Sequence, residues 1–204
     1  MSESPVPCPQ CDASGLTAMN NHIDLAARQL ATWNPDLIVY MCTSGSFMEG
    51  ISGERAIRDR LVQLTSLPTI TTSRAVLAAL KQLQLKRVVM LTPYDEDLTR
   101  REIAWLKEND VEVTDFRFRN IPDNLSRGAQ SPEESFRIVS RLKWCEADGV
   151  FLSCANVRNL EIIETLEIHT GKPVVTSTVA TTWLALRTTG VNDPIKGYGR
   201  LLFE

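Results

Sequence analysis

Two cysteines occupy matching places in the chain. Val39-Tyr40-Met41-Cys42-Thr43-Ser44 and Val150-Phe151-Leu152-Ser153-Cys154-Ala155 each run from an apolar strand through a cysteine into a small polar turn, with a helix expected next. A thiol at such a strand tip meets backbone N–H groups and the positive end of the helix dipole, which lower its pKa from ~8.5 toward neutrality. If the two strand ends face each other, one cysteine can act as base or nucleophile on one side of a substrate while the other delivers a proton from the opposite side. A lone cysteine here would read as a small buried hydrophobe. The repetition favours chemistry. Around the thiols, Thr43-Ser44-Gly45-Ser46 and Ala155-Asn156-Val157 offer clustered N–H and hydroxyl donors suited to a carboxylate, although the same residue types also cap helices. Tyr94, after Leu91-Thr92-Pro93, is placed at the end of a third strand. Its phenol suits a substrate carboxylate or enolate, or the tyrosine is a half-buried loop aromatic.

The elements that must position these groups alternate helix and strand. A helical face at Ile23, Ala26, Ala27 and Leu30 leads to the strand Leu37–Met41, a helix around Gly53–Leu64, a short strand at Thr69–Thr71 and an amphipathic helix from Ser73. Then come the strand Arg87–Leu91, a helix over Glu96–Asn109, a strand over Val111–Phe118, and a polar connection through Pro122-Asp123-Asn124. Ser131-Pro132-Glu133-Glu134 opens a helix with an N-cap, proline at the first position and carboxylates facing the dipole. The strand Gly149–Leu152, a helix over Arg158–Thr170, the strand Pro173–Val175 and a last helix through Trp183 and Leu186 complete the pattern. It predicts an α/β fold of βαβ units with parallel sheets. A second repeat, Pro68–Ser73 against Pro173–Thr178, supports two similar α/β lobes with ligands at the carboxyl ends of the strands. The expected division is an irregular stretch over 1–19, a first lobe from 20–92 and 178–204, a second from 93–177, and the site between them.

Composition narrows the function. With 204 residues, 43% hydrophobic and 23% charged, the chain can bury a real core, and disordered and disulfide-scaffold classes are excluded. No apolar run is long enough to span a bilayer. A net charge of −3 with 22 Lys+Arg dispersed among 25 Asp+Glu gives no basic stripe, so nucleic acid is not expected and a small molecule is. Five cysteines without a leader suggest a reducing cytoplasm. Cys8-Pro9-Gln10-Cys11 has zinc-knuckle spacing, but no second pair follows and His22 stands by itself, so no metal is expected. Cys145 reads as packing, His169 as a cation at a helix end, and Arg158 and Arg200 as surface groups.

Four ordered strings, Cys42-Thr43-Ser44-Gly45-Ser46, Leu91-Thr92-Pro93-Tyr94, Ser153-Cys154-Ala155-Asn156-Val157-Arg158 and Gly197-Tyr198-Gly199-Arg200-Leu201-Leu202, resemble the maleate cis-trans isomerase and arylmalonate decarboxylase branch of the aspartate/glutamate racemase superfamily. The resemblance runs from about Asn20 onward. It implies two flavodoxin-like lobes related by pseudo-two-fold symmetry, and neither metal nor organic cofactor. It also implies Cys42 as the thiol that attacks an alkene carbon to give a succinyl thioether, and Cys154 as proton donor and acceptor. Tyr94 matches a tyrosine that bonds a substrate carboxylate, Thr43, Ser44 and the Ala155 amide a carboxylate or oxyanion pocket with Asn156 beside it, and Asn124 a substrate-binding asparagine. The decarboxylases have glycine where Cys42 stands, which favours isomerase or racemase chemistry over decarboxylation.

Two features depart from that pattern. Family members begin with a strand and a Pro-x-x-Asn loop absent here, which implies a first lobe lacking its usual N-terminal strand, and Ser177-Thr178 replaces Ser-Asn. Three functions follow as expectations: isomerisation of maleate to fumarate, aspartate- or glutamate-type racemisation, and a non-catalytic carboxylate-binding remnant. A small mono- or dicarboxylate is the partner in each, and an unpaired sheet edge would favour a homo-oligomer.

Overall fold

The computed structural model describes residues 2–6, 8 and 12–203. Among them, six strands form two parallel sheets. β1 (Ile38–Tyr40) and β2 (Thr69–Thr71) pair in the first, with Ile38 opposite Thr69 and Tyr40 opposite Thr71. The second has the order β4-β3-β5-β6, built from β3 (Arg87–Thr92), β4 (Glu112–Phe118), β5 (Gly149–Leu152) and β6 (Val174–Thr176). β5 and β6 are buried throughout and β3 is buried beyond Arg87, as befits parallel strands covered on both faces and written in Val, Leu, Met and Phe.

Helices join the strands. α1 (Ala13–Asn20) and α2 (Ile23–Ala31) precede β1, and α3 (Thr43–Phe47) and α4 (Gly50–Thr65) lie between β1 and β2. α5 (Thr72–Gln82) leads to β3, α6 (Glu96–Glu108) to β4, and α7 (Asn124–Gly128) and α8 (Pro132–Val139) toward β5. α9 (Ile163–Thr170) precedes β6, and α10 (Ser177–Thr188) and α11 (Arg200–Phe203) close the chain.

The second repeat has a plain structural meaning. Both α5 and α10 start at the last residue of a strand, where a threonine turns from extended backbone to cap the helix. Thr71 Oγ1 accepts from the Arg74 N–H (3.3 Å) and Thr176 Oγ1 from the Val179 N–H (3.0 Å). The two helices pack together, and Thr181 Oγ1 donates to Thr72 Oγ1 across them at 3.3 Å. That contact ties one sheet to the other, so the strand ends of both converge on the same region.

Three expectations are corrected. The irregular stretch does not extend to residue 19: Asp12 Oδ1 accepts from the Gly15 N–H at 2.8 Å, which starts α1, and Leu16 and Met19 are buried in the core. The boundary at residue 92 misplaces β3, which pairs on both sides with strands of the second sheet. Hydrogen bonding to β4 and β5 decides this, and strand adjacency is not written in the local pattern. Cys154 is not followed directly by a helix, because a turn and a 3-10 segment at Leu160–Ile162 separate it from α9. Of the Cys8-x-x-Cys11 spacing, Cys11 lies outside the described residues. Among those described, no cluster of three His, Cys, Asp or Glu could hold a metal ion, and no helix is long and apolar enough to cross a membrane.

Candidate active site

Cys42 caps α3. Its backbone is extended, its carbonyl accepts from the Ser46 N–H at 3.1 Å, and its sulfur accepts from the Gly45 N–H at 3.4 Å. Ser44 Oγ lies 3.9 Å from the sulfur. Thr43 is buried with no hydrogen-bond partner for Oγ1 among the described residues. The α3 turn is held from behind: Ser46 Oγ donates to the Cys42 carbonyl (2.7 Å) and accepts from the Ser73 N–H at the start of α5 (3.1 Å). Gly45 is required by space. A Cβ there would fall 2.3 Å from the Tyr40 hydroxyl and 3.1 Å from the Cys42 sulfur.

Cys154 stands just beyond β5. It is buried and takes a φ of 82°, a left-handed conformation that non-glycine residues rarely adopt and that concentrates at functional positions. Its sulfur accepts from the Asn156 N–H and shares a hydrogen bond with the Tyr94 hydroxyl. Burial pushes the thiol up to about 11, only partly offset by those bonds and by the Arg127 guanidinium. The expected lowering therefore fails at Cys154: desolvation outweighs the N–H donor, and no helix dipole backs it. Burial thus favours the protonated thiol at neutral pH. Cys42 lies close enough for its charge to raise the Cys154 pKa further, so the two sulfurs from different sheets share one site.

Tyr94 is fully buried between them. Burial raises its phenol, and the charges of Cys154, Glu102 and Cys42 add to the rise. Arg127 of α7, itself buried, stacks its guanidinium 5.3 Å from the centroid of the Tyr94 ring, and its Nε donates to the Ile121 carbonyl at 2.9 Å. Thus Cys42, Thr43, Ser44, Tyr94 and Cys154 come together. Asn124 and Asn156 meet on the rim, where Asn156 Nδ2 donates to the Asn124 carbonyl at 2.6 Å and both side chains are exposed. The Ala155 carbonyl accepts from Thr178 Oγ1 at 3.1 Å, which anchors the turn to α10.

Sequence reasoning missed Tyr40, Asn20, Glu102, Ser153 and Arg127. Tyr40 donates a short hydrogen bond to Asn20 Oδ1 and also bonds the Cys42 side chain. Ser153 Oγ and Glu102 Oε1 are hydrogen-bonded at 2.6 Å. A signal for Glu102 existed: it falls on the apolar face of α6 with Leu98, Trp105 and Leu106.

Comparison with known proteins identifies the family. The profile of the arylmalonate decarboxylase family matches residues 8–202. A maleate isomerase of Pseudomonas putida is 32% identical over 193 residues, spanning 92% of this chain and 77% of that protein. The arylmalonate decarboxylase of Bordetella bronchiseptica is 32% identical over 181 residues, 87% of this chain and 75% of that one. A crystal structure of a Pseudomonas putida maleate isomerase superposes with a TM-score of 0.95 at 28% identity, covering 98% of this chain and 83% of the other. With its two parallel sheets and their converging strand ends, the chain belongs to the arylmalonate decarboxylase family, in the branch of the aspartate/glutamate racemase superfamily shared with the maleate cis-trans isomerases.

Proposed function

We propose that this enzyme is a cis-trans isomerase that converts maleate to fumarate through Cys42 and Cys154. The observation that carries this reading is the pair of unlike sulfurs in one site: Cys42 at a helix cap among donors, and Cys154 buried as a thiol. The Cys42 thiolate adds to one alkene carbon while the Cys154 S–H proton passes to the other, leaving a C–C single bond and a Cys154 thiolate. After rotation about that bond, Cys154 takes a proton back from the same carbon. The electron pair re-forms the double bond, the C–S bond breaks, and the Cys42 thiolate is restored. The steps balance without a cofactor. Thr43, Ser44, Tyr94, the Ala155 turn, Asn124 and Asn156 are the groups proposed to hold the carboxylates.

Proton NMR of the protein with maleate tests this directly, since the vinyl protons of the two isomers resolve. Growth of the fumarate signal is expected, and an unchanged maleate spectrum would contradict it. The family match and the Bordetella relative favour a second reading, decarboxylation of an arylmalonate with Cys154 protonating the carbanion. Release of carbon dioxide from phenylmalonate, with maleate left untouched, would select it.

A further inference from the structure

Each sulfur has a buried tyrosine behind it, and the two tyrosines lead to different groups. Tyr40, beside Cys42, donates to Asn20, whose Nδ2 donates to the Gly45 carbonyl at 3.2 Å. That chain ends in an amide, which does not titrate. Tyr94, beside Cys154, lies 3.4 Å from Ser153 Oγ, and Ser153 Oγ lies 2.6 Å from Glu102 Oε1. Glu102 is completely buried, and its Oε2 has no hydrogen-bond partner among the described residues. A carboxyl in such surroundings is costly unless it is neutral or has a task.

Resting on the isomerase reading, we propose that Glu102 is a positioning residue that sets the proton balance of Cys154 through Ser153 and Tyr94. With Glu102 protonated, its O–H donates to Ser153 Oγ, the Ser153 O–H to the Tyr94 oxygen, and the Tyr94 O–H to the Cys154 sulfur. Every donor then aims at the sulfur, the arrangement that holds a thiolate after Cys154 has given its proton to substrate carbon. With Glu102 ionised the chain reverses: Ser153 donates to the carboxylate, Tyr94 to Ser153, and the Cys154 S–H to Tyr94. The thiolate arrangement with protonated Glu102 and the thiol arrangement with ionised Glu102 hold the same number of protons. One proton has passed in net from sulfur to carboxyl, and only O–H and S–H bonds have changed.

Burial pushes Glu102 up to about 8, so near neutrality the chain points toward the sulfur before chemistry begins. Among the described residues, the titratable and charged groups around this chain include Cys42 at the cap of α3, Tyr94, Cys154, Arg127 of α7, and Arg119, which lines a small pocket with Ser153 and pairs with Glu134 of α8 at 2.6 Å.

The test is the alkylation rate of Cys154 by iodoacetamide as a function of pH, located by tandem mass spectrometry in the Cys42→Ser protein, where the readout needs no maleate turnover. With Glu102 present, the rate is expected to climb less steeply above about pH 8, as the carboxylate forms and opposes the thiolate. Glu102→Gln cannot ionise. It should remove that inflection and speed alkylation about ten-fold near pH 9.5, equivalent to lowering the thiol by about one pKa unit. Ser153→Ala, which cuts the chain, should make the rate insensitive to Glu102→Gln. Superimposable profiles with Glu102 and with Gln, or dependence on Glu102 that survives Ser153→Ala, would overturn the coupling. If the parent protein leaves maleate unchanged while the profiles shift as described, the isomerase reading falls and the coupling stands.

Discussion

At the end of β1, the Cys42 sulfur is half-buried, accepts a backbone N–H from α3, and has a tyrosine fixed by an asparagine behind it. At the end of β5, the Cys154 sulfur is buried on a left-handed residue, with a tyrosine whose chain ends in a buried carboxyl. The same strand-cysteine-turn plan has thus been given two environments. Donors without deep burial suit a sulfur that must attack carbon; burial beside a hydrogen-bond chain suits one that must hold a proton and then give it up. The residues that set these two environments lie mostly behind the sulfurs, outside the motif that repeats.

The comparison can be broken at either end. The largest effect is expected from the thiols: Cys42→Ser and Cys154→Ser should each lower maleate turnover by about 10³-fold or more, measured by fumarate formation. Retention of full turnover by either variant would remove that sulfur from the chemistry.

Next is the pH dependence of stability contributed by Glu102. Its folded pKa lies near 8 against an ordinary 4.5, so between these values the native state binds the extra proton and stability declines as pH rises. The contribution is fully present below about 4.5 and lost once pH passes about 8. Urea unfolding of Glu102→Gln should lack this decline, a difference on the order of 3 kcal/mol between pH 5 and 8.5. Parallel pH profiles for the two proteins would show that the carboxyl is not buried as described.

A smaller loss is expected on the Cys42 side from Gly45→Ala. The new methyl meets the Tyr40 hydroxyl and the Cys42 sulfur, so stability should drop by about 1–3 kcal/mol and Tyr40 should shift. An unperturbed unfolding midpoint would mean that the α3 turn is looser than its contacts suggest. The mildest change is Tyr40→Phe, which deletes the hydroxyl and its bonds to Asn20 and the Cys42 side chain for about 1 kcal/mol. It should leave the pH profile of Cys154 alkylation in place, whereas Tyr94→Phe should move it. A shift of equal size from both substitutions would erase the distinction between the two chains.

Much of the fold could be read from local pattern. Apolar strands and the two repeats marked the strand ends to within a residue or two, and Cys42, Thr43 and Ser44 lie where a strand-cysteine-turn string puts them, whereas the cap of α5 is Thr71 rather than a residue inside the helix. What escaped was set at a distance. β3 joins the second sheet because β4 and β5 accept it, a choice made by tertiary packing. α1 was hidden by its brevity and a glycine in its first turn, although Asp12 was a usable cap signal. Glu102 sits among Arg100, Arg101 and Glu96 on a charged helix, so its inward position could be seen only by weighting the Leu98, Trp105 and Leu106 face. The Cys154 pKa was misjudged because the turn after it looks like a helix start, while burial, invisible in the sequence, controls the thiol.

The division of labour between the sulfurs is tested most directly by locating the covalent adduct. Maleate is added to the Cys154→Ser protein, and the modified residue is identified by peptide mass spectrometry. The expected result is one maleate equivalent attached to Cys42, with no comparable adduct at Cys154 in the Cys42→Ser protein. An adduct on Cys154 in the Cys42→Ser protein, or turnover that survives both substitutions without any adduct, would contradict it.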